Sequence, residues 1–177
     1  AIVSGYRKGT GSSRETAAQC ERFSGIRYVF AASFAPIHER NNINLGQLMG
    51  DHSMLSRLQN SETIGLDEFT GKYDAVTKVI LESGGLFPFS NKVAADEISL
   101  PANETGKRGM TMVEKIVAAK MLNPGAEGAF VKPNDPVLAK VDGGYSHEFT
   151  TAQVHEFLRA EYGDDYQVQN PEKLAVF

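Results

Sequence analysis

Hydrophobic positions in this chain follow two periods, and the period changes wherever glycine or proline interrupts it. An apolar opening, Ala1-Ile2-Val3, reads as a short strand that runs toward Gly9-Thr10-Gly11. Helical spacing of apolar residues follows over 13–23. The near-continuous apolar run 26–32 predicts a strand, and Pro36 opens a short helix over 36–42. Residues 51–58 suggest a further helical turn. Residues 73–83 form a helix with Val76, Val79 and Ile80 on one face, ended by Gly84-Gly85. Leu86-Phe87-Pro88-Phe89 predicts an edge segment, because Pro88 has no N–H to give to a central ladder. From Ser90 to Arg108 the chain turns polar. Beyond it an amphipathic helix is predicted over 110–121, a stop at Asn123-Pro124-Gly125 and a strand over 136–141. A helix over 150–162, capped by Thr150 or Thr151, and a buried strand over 173–177 complete the series. Alternating strands and helices predict an α/β fold.

Composition narrows the function classes. The 177 residues are 41% hydrophobic, enough for one substantial domain or two small ones. A net charge of -4, with no dense Lys/Arg run, argues against nucleic acid as a partner. No run of 18 apolar residues exists and the first residues lack a signal-peptide pattern, so a soluble protein without a membrane partner is expected. The single cysteine, Cys20, excludes an internal disulfide, fits a reducing compartment and reads as a packed helix residue rather than a reactive thiol.

The richest chemistry lies in Gly9-Thr10-Gly11-Ser12-Ser13-Arg14-Glu15, where a glycine turn becomes a helix. Unpaired N–H groups and the positive end of the helix dipole attract a carboxylate or phosphate there, and Arg14 adds a bidentate donor pair. The bland alternative is a capping box made by Ser12 and Glu15. Nucleotide signatures are not matched, since Arg14 replaces the third glycine of Gly-x-Gly-x-x-Gly and no Gly-Lys-Ser/Thr follows. There is no Gly-x-Ser-x-Gly elbow for serine-hydrolase chemistry. His52 and His155 have no partners at metal-ligand spacing, and His38, Arg40, Asn41 and Asn42 read as structural residues around a turn.

A wider run of text gives the turn a context. Gly9-Thr-Gly-Ser-Ser-Arg-Glu-Thr-Ala, then Gly25-Ile-Arg-Tyr-Val-Phe-Ala-Ala-Ser-Phe-Ala-Pro-Ile-His-Glu-Arg-Asn-Asn and Asn44-Leu-Gly, resembles the swivel domain of the aconitase superfamily, especially its isopropylmalate isomerase branch. Thr16 departs from the family, where many members carry His. The upstream part of the swivel domain, with a substrate-selecting loop and a further arginine, is not in this sequence. A second resemblance runs from Met110-Thr-Met-Val-Glu-Lys-Ile through Val131-Lys-Pro-Asn-Asp-Pro to His147-Glu-Phe-Thr-Thr-Ala-Gln, similar to the opening of the family's large catalytic portion. The expected organisation is therefore a swivel-type domain over 1–90, a linker over 91–108 and the start of the large catalytic domain over 109–177.

The resemblance implies a hydro-lyase, a dehydratase or isomerase that reversibly removes and re-adds water on a hydroxy di- or tricarboxylic acid such as an alkylmalate or citrate. It implies Ser12 as the catalytic base and Ser13, Arg14 and His147 as substrate-binding residues. His147 is equally open to reading as a helix-capping side chain. The family's [4Fe-4S] cluster needs several cysteine thiolates, so its ligands are expected outside this chain, on a cluster-bearing large portion or subunit. The expected setting is cytoplasmic amino-acid biosynthesis, with the chain a piece of a longer enzyme. The rival reading is a cluster-free carboxylate-binding or regulatory module without catalysis.

Overall fold

A computed structural model describes residues 1–11 and 15–177; Ser12, Ser13 and Arg14 lie outside the described residues. Three short strands, β1 (Ile2–Ser4), β2 (Tyr28–Ala31) and β3 (Leu48–Gly50), form a parallel sheet in the order β1-β2-β3. Ile2 stands opposite Val29, and Phe30 opposite Gly50. Helices α1 (Thr16–Phe23) and α2 (Pro36–Asn44) make the crossovers that parallel neighbours require. Val29, Phe30 and Ala31 on the central strand are all buried. That is why this strand alone reads as an unbroken apolar run.

Four helices complete the first half: α3 (His52–Gln59), α4 (Leu66–Thr70), α5 (Ala75–Glu82) and α6 (Leu86–Ala94). Val76, Ile80 and Leu81 of α5 and Phe89 of α6 join Val29, Ile43 and Met49 in one hydrophobic core. Gly46 and Gly85 let two turns touch: Gly46 has φ +67°, and a Cβ on it would stand 2.3 Å from the backbone of Gly84. The predicted edge segment at Leu86 is instead the first turn of α6. Pro88 falls where a helix has no intrahelical acceptor for the N–H, so proline costs nothing there.

Residues 95–111 hold no helix or strand, yet Ile98 and Leu100 pack on the core. Helix α7 (Met112–Ala119) is opened by a capping box: the Thr111 N–H donates to Glu114 Oε2 at 2.7 Å, and the Glu114 N–H to Thr111 Oγ1 at 3.3 Å. The strand predicted over 136–141 is absent. In its place Leu138 accepts from the Leu122 N–H at 2.7 Å and the Lys140 N–H donates to Lys120 at 2.8 Å, an isolated antiparallel bridge. Pro136 supplies no donor to extend it. The turn beside this bridge closes on Asp135, whose carboxylate accepts from Thr105 Oγ1 at 2.6 Å, the Lys132 N–H at 2.9 Å and Asn103 Nδ2 at 3.2 Å.

The last unit is β4 (Gly144–Ser146), α8 (Glu148–Tyr162) and β5 (Leu174–Val176), with the two strands parallel. No residue after Val131 is buried. The strand expected near residue 173 is present but lies at the surface, with Leu174 53% and Val176 58% exposed. Parallel strands are covered when layers lie on both faces, and two strands with one helix supply too few. Phe87 meets Tyr162 edge-on at 5.8 Å, a contact between α6 and α8.

Candidate functional site

The carboxyl end of a parallel sheet is where open α/β folds bind ligands, and residues 5–11 leave β1 at that end. They do not wander. The Ala32 N–H donates to Gly5 at 3.1 Å, the Lys8 N–H to Ser33 at 3.0 Å, and the Ala35 N–H to Lys8 at 2.8 Å. Ser33 Oγ also accepts from the Arg7 N–H at 2.9 Å. The glycine turn is thereby stitched along the segment that leads into α2. His52 adds a brace from α3, its Nε2 donating to the Ser4 carbonyl at 2.7 Å.

Gly9 has φ +87°, and a Cβ built on it would lie 2.2 Å from His38 Cγ. Only glycine fits there, because the backbone is left-handed and the imidazole fills the adjoining space. Under the turn, Lys8 pairs with Glu21 of α1, and Lys8 Nζ lies 3.2 Å from His38 Nε2. Burial, reinforced by the Lys8 charge, pushes His38 below the usual imidazole range. It is therefore neutral at pH 7. Burial also pushes the Glu15 carboxyl up, at the point where the chain enters α1.

A cleft of about 180 Å³ opens above the turn, lined by Arg7, Gly9, Thr10, Gly11, Ala35 and Ile37, with Pro36 at its rim. Its floor is the N-terminus of α2, where Ala35 is the N-cap and gives no side-chain cap; no acidic side chain among the described residues lines it, and the first-turn Glu39 is engaged by Tyr73 and Lys72. Arg7 and the helix dipole therefore make the cleft electropositive. A larger hollow of about 490 Å³ in the second unit carries Lys140 and Lys173 but lies outside the first 49 residues, and two others beside the sheet are poorer anion sites. One, of about 500 Å³, is walled by apolar and aromatic side chains such as Phe30, Leu55 and Phe69. The other, of about 490 Å³, lies past β2 and β3 and sets Glu39, Asp51 and Glu68 against Lys72 alone.

The residues singled out from sequence fall as follows. Ser12, Ser13 and Arg14 lie outside the described residues, between Gly11 at the cleft and Glu15 at the start of α1. His147 is exposed and is the N-cap of α8; its ring stacks near Phe149 at 6.4 Å, and its backbone N–H donates to Thr150 Oγ1 at 3.4 Å. None of these partners belongs to residues 5–11. His38 and Asn42 are buried, whereas His155 is a surface residue whose Nδ1 meets the Tyr166 hydroxyl at 2.8 Å. Cys20 corrects the packed reading, for it is exposed. The inward face of α1 runs through Glu15, Ala18 and Arg22, and Cys20 points off it. Arg7, Lys8, Glu21 and His52 were missed as contributors. The pair Arg7-Lys8 directly before Gly9 was the available signal.

Comparison with known proteins matches residues 1–49 to the aconitase C-terminal domain family. The chain is 40% identical over 83 residues to the mitochondrial homoaconitase of Candida parapsilosis, covering 47% of this chain and 11% of that protein. It is 32% identical over 111 residues to the 3-isopropylmalate dehydratase small subunit of Aquifex aeolicus, covering 54% of this chain and 66% of that subunit. The chain belongs to the aconitase superfamily. It spans about a tenth of the length of the homoaconitases and about two thirds of the small subunits it matches. A solved 3-isopropylmalate dehydratase (leuD) from Methanocaldococcus jannaschii is similar at 30% identity, with a TM-score of 0.42, over 54% of this chain and 65% of that one. In this aconitase-superfamily chain the electropositive cleft thus lies inside the stretch that the family model matches.

Proposed function

We propose that this chain is the swivel-type part of an aconitase-family hydro-lyase that removes and re-adds water on a hydroxy di- or tricarboxylate such as an alkylmalate or citrate. The observation that carries the reading is the cleft at Gly9–Gly11, lined by no acidic side chain among the described residues and floored by an open helix N-terminus, within the family-matched stretch. A carboxylate is the ligand such a surface favours.

In this reading Ser12 is the base that takes a proton from the carbon beside a substrate carboxylate. An alkoxide is accessible to a serine only where preorganised donors and positive charge face it, and in this reading the turn, Arg7 and the helix end would supply them. Arg14 grips the carboxylate with two parallel N–H donors, and Ser13 donates a third hydrogen bond. His147 would donate to the substrate from the second unit. That unit, residues 109–177, is read as the opening of the large catalytic portion, with 91–108 as the linker after the swivel-type domain over 1–90. The absence of any buried residue after Val131 favours it, since β4, α8 and β5 lack a covering layer.

The residues present do not fit the family's [4Fe-4S] cluster. Cys20 is the single thiol, and no group of three or more His, Cys, Asp or Glu that could hold a metal exists among the described residues. The proposed partner is accordingly a separate cluster-bearing portion or subunit. No helix among the described residues is long and apolar enough to cross a membrane. The cytoplasm is the compartment we assign, and its reducing conditions suit an exposed unpaired thiol.

Substitution in the complete enzyme tests the roles. Ser12→Ala is expected to lower kcat by about 10²–10⁴-fold with the unfolding midpoint unchanged. Arg14→Lys is expected mainly to raise KM, because an ammonium cannot copy the planar two-point contact. Near-normal turnover in the first variant removes Ser12 as the base, and an unchanged KM in the second removes the clamp.

A further inference from the structure

Directly beneath the glycine turn, three ionisable side chains from three elements meet away from solvent. The side chains of Lys8 in the turn, Glu21 in α1 and His38 in α2 are 9%, 17% and 4% exposed. Lys8 Nζ donates to Glu21 Oε1 and approaches His38 Nε2. Glu21 Oε2 lies 3.9 Å from the same imidazole nitrogen and has no hydrogen-bond partner among the described residues. Stability alone is a poor reason to keep such a group, since apolar residues of similar volume are often as stable as a buried ion pair or more so.

Geometry supplies a better reason. Lys8 is the residue whose N–H and carbonyl both join the turn to residues 33–35, so fixing its side chain fixes the backbone at the entrance to Gly9. The His38 ring then occupies the space beside Gly9 that a side chain there would need. A neutral imidazole accepts from the Lys8 ammonium and completes the set. None of the three side chains lines the cleft.

We propose that Lys8, Glu21 and His38 are positioning residues, a buried ion pair closed by an imidazole that locks the Gly9–Gly11 turn in its anion-receiving conformation. Carboxylate affinity then depends on charges that never touch the carboxylate. The proposal rests on reading the turn as the carboxylate site. A misplacement of about 1 Å at a site can cost about 100-fold in function, so a modest loosening here is measurable.

The test is malate binding by the full 177-residue chain, followed by titration calorimetry, with hydrogen exchange at residues 5–11 and thermal unfolding measured in parallel. Lys8→Met is expected to weaken malate binding by at least roughly tenfold and to speed exchange at the turn, with the unfolding midpoint lowered because Glu21 is left as a lone buried charge. Lys8→Arg should restore most of the affinity, and Glu21→Gln should behave as Lys8→Met. The double variant Lys8→Met/Glu21→Leu, which leaves no lone buried charge, is expected to show the same loss of binding and faster exchange with the unfolding midpoint unchanged or raised, and it takes the place of Lys8→Met if that variant fails to fold. Wild-type affinity and exchange in the folded variant overturn the positioning role. If Arg14→Ala abolishes binding while Lys8→Met does not, the carboxylate site stands and this inference alone falls. If the wild-type chain binds no malate, the site reading fails and the inference falls with it.

Discussion

Gly9 condenses the argument at the scale of one residue. Its left-handed backbone and the 2.2 Å approach of His38 to a would-be Cβ are separate demands, and both exclude a side chain. Gly9→Ala is therefore expected to cost about 1–3 kcal/mol in denaturant unfolding and to displace the turn; a loss under a few tenths would contradict the packing. The sequence marked Gly9 as a turn residue, but His38 was 29 positions away and looked like part of a different turn. Cys20 went the other way. Cysteine is a frequently buried type, yet its angular position on α1, set by Ala18, turned it outward. Lys8 was illegible for a related reason, since a lysine near a glycine turn is normally solvated until other elements enclose it.

Elements formed largely where periodicity placed them, and the failures share a cause. Strands β1 and β2 and helices α1, α2, α3, α5, α7 and α8 follow from apolar spacing and turn chemistry. Pro88 misled because a proline marks both an edge strand and a helix first turn, and the core position of Phe89 decided for the helix. The strand expected over 136–141 lost to side-chain anchoring. Asp135 ties 103–105 to 132–135, and Asn123 Oδ1 accepts from the Leu138 N–H at 3.0 Å, so tertiary hydrogen bonds replace a ladder. Burial alone would raise the Asp135 carboxyl, but donors from Thr105, Lys132 and Asn103 hold it well below the usual carboxylate range. A depressed carboxyl contributes stability above its unfolded pKa of about 3.9, and that contribution disappears as pH falls toward the folded value. The stability gap between wild type and Asp135→Asn in urea should thus be present at pH 6 and shrink on acidification below pH 4. A gap independent of pH would show that the carboxylate charge is not what anchors the turn.

For the molecule as a whole, burial is uneven. The first half has a closed core around β2, whereas β4, α8 and β5 keep Tyr145, Phe149, Leu174 and Val176 at the surface. Leu174→Ser/Val176→Ser should leave the unfolding midpoint of this chain within about 0.5 kcal/mol of wild type, as surface changes do, while lowering turnover of the complete hydro-lyase. A large destabilisation would mean these side chains are already packed within the chain, and unaffected turnover would remove them from the assembly. The sequence by itself determined the α/β alternation, the glycine turn and the family, because strand and helix periods, turn residues and a contiguous motif are all local properties of the text. Only the tertiary structure decided that Lys8, Glu21 and His38 meet under that turn, that the open end of α2 floors the cleft and that the last strand stays exposed. Each of those depends on which distant segments pack together and exclude water, and no local pattern encodes that.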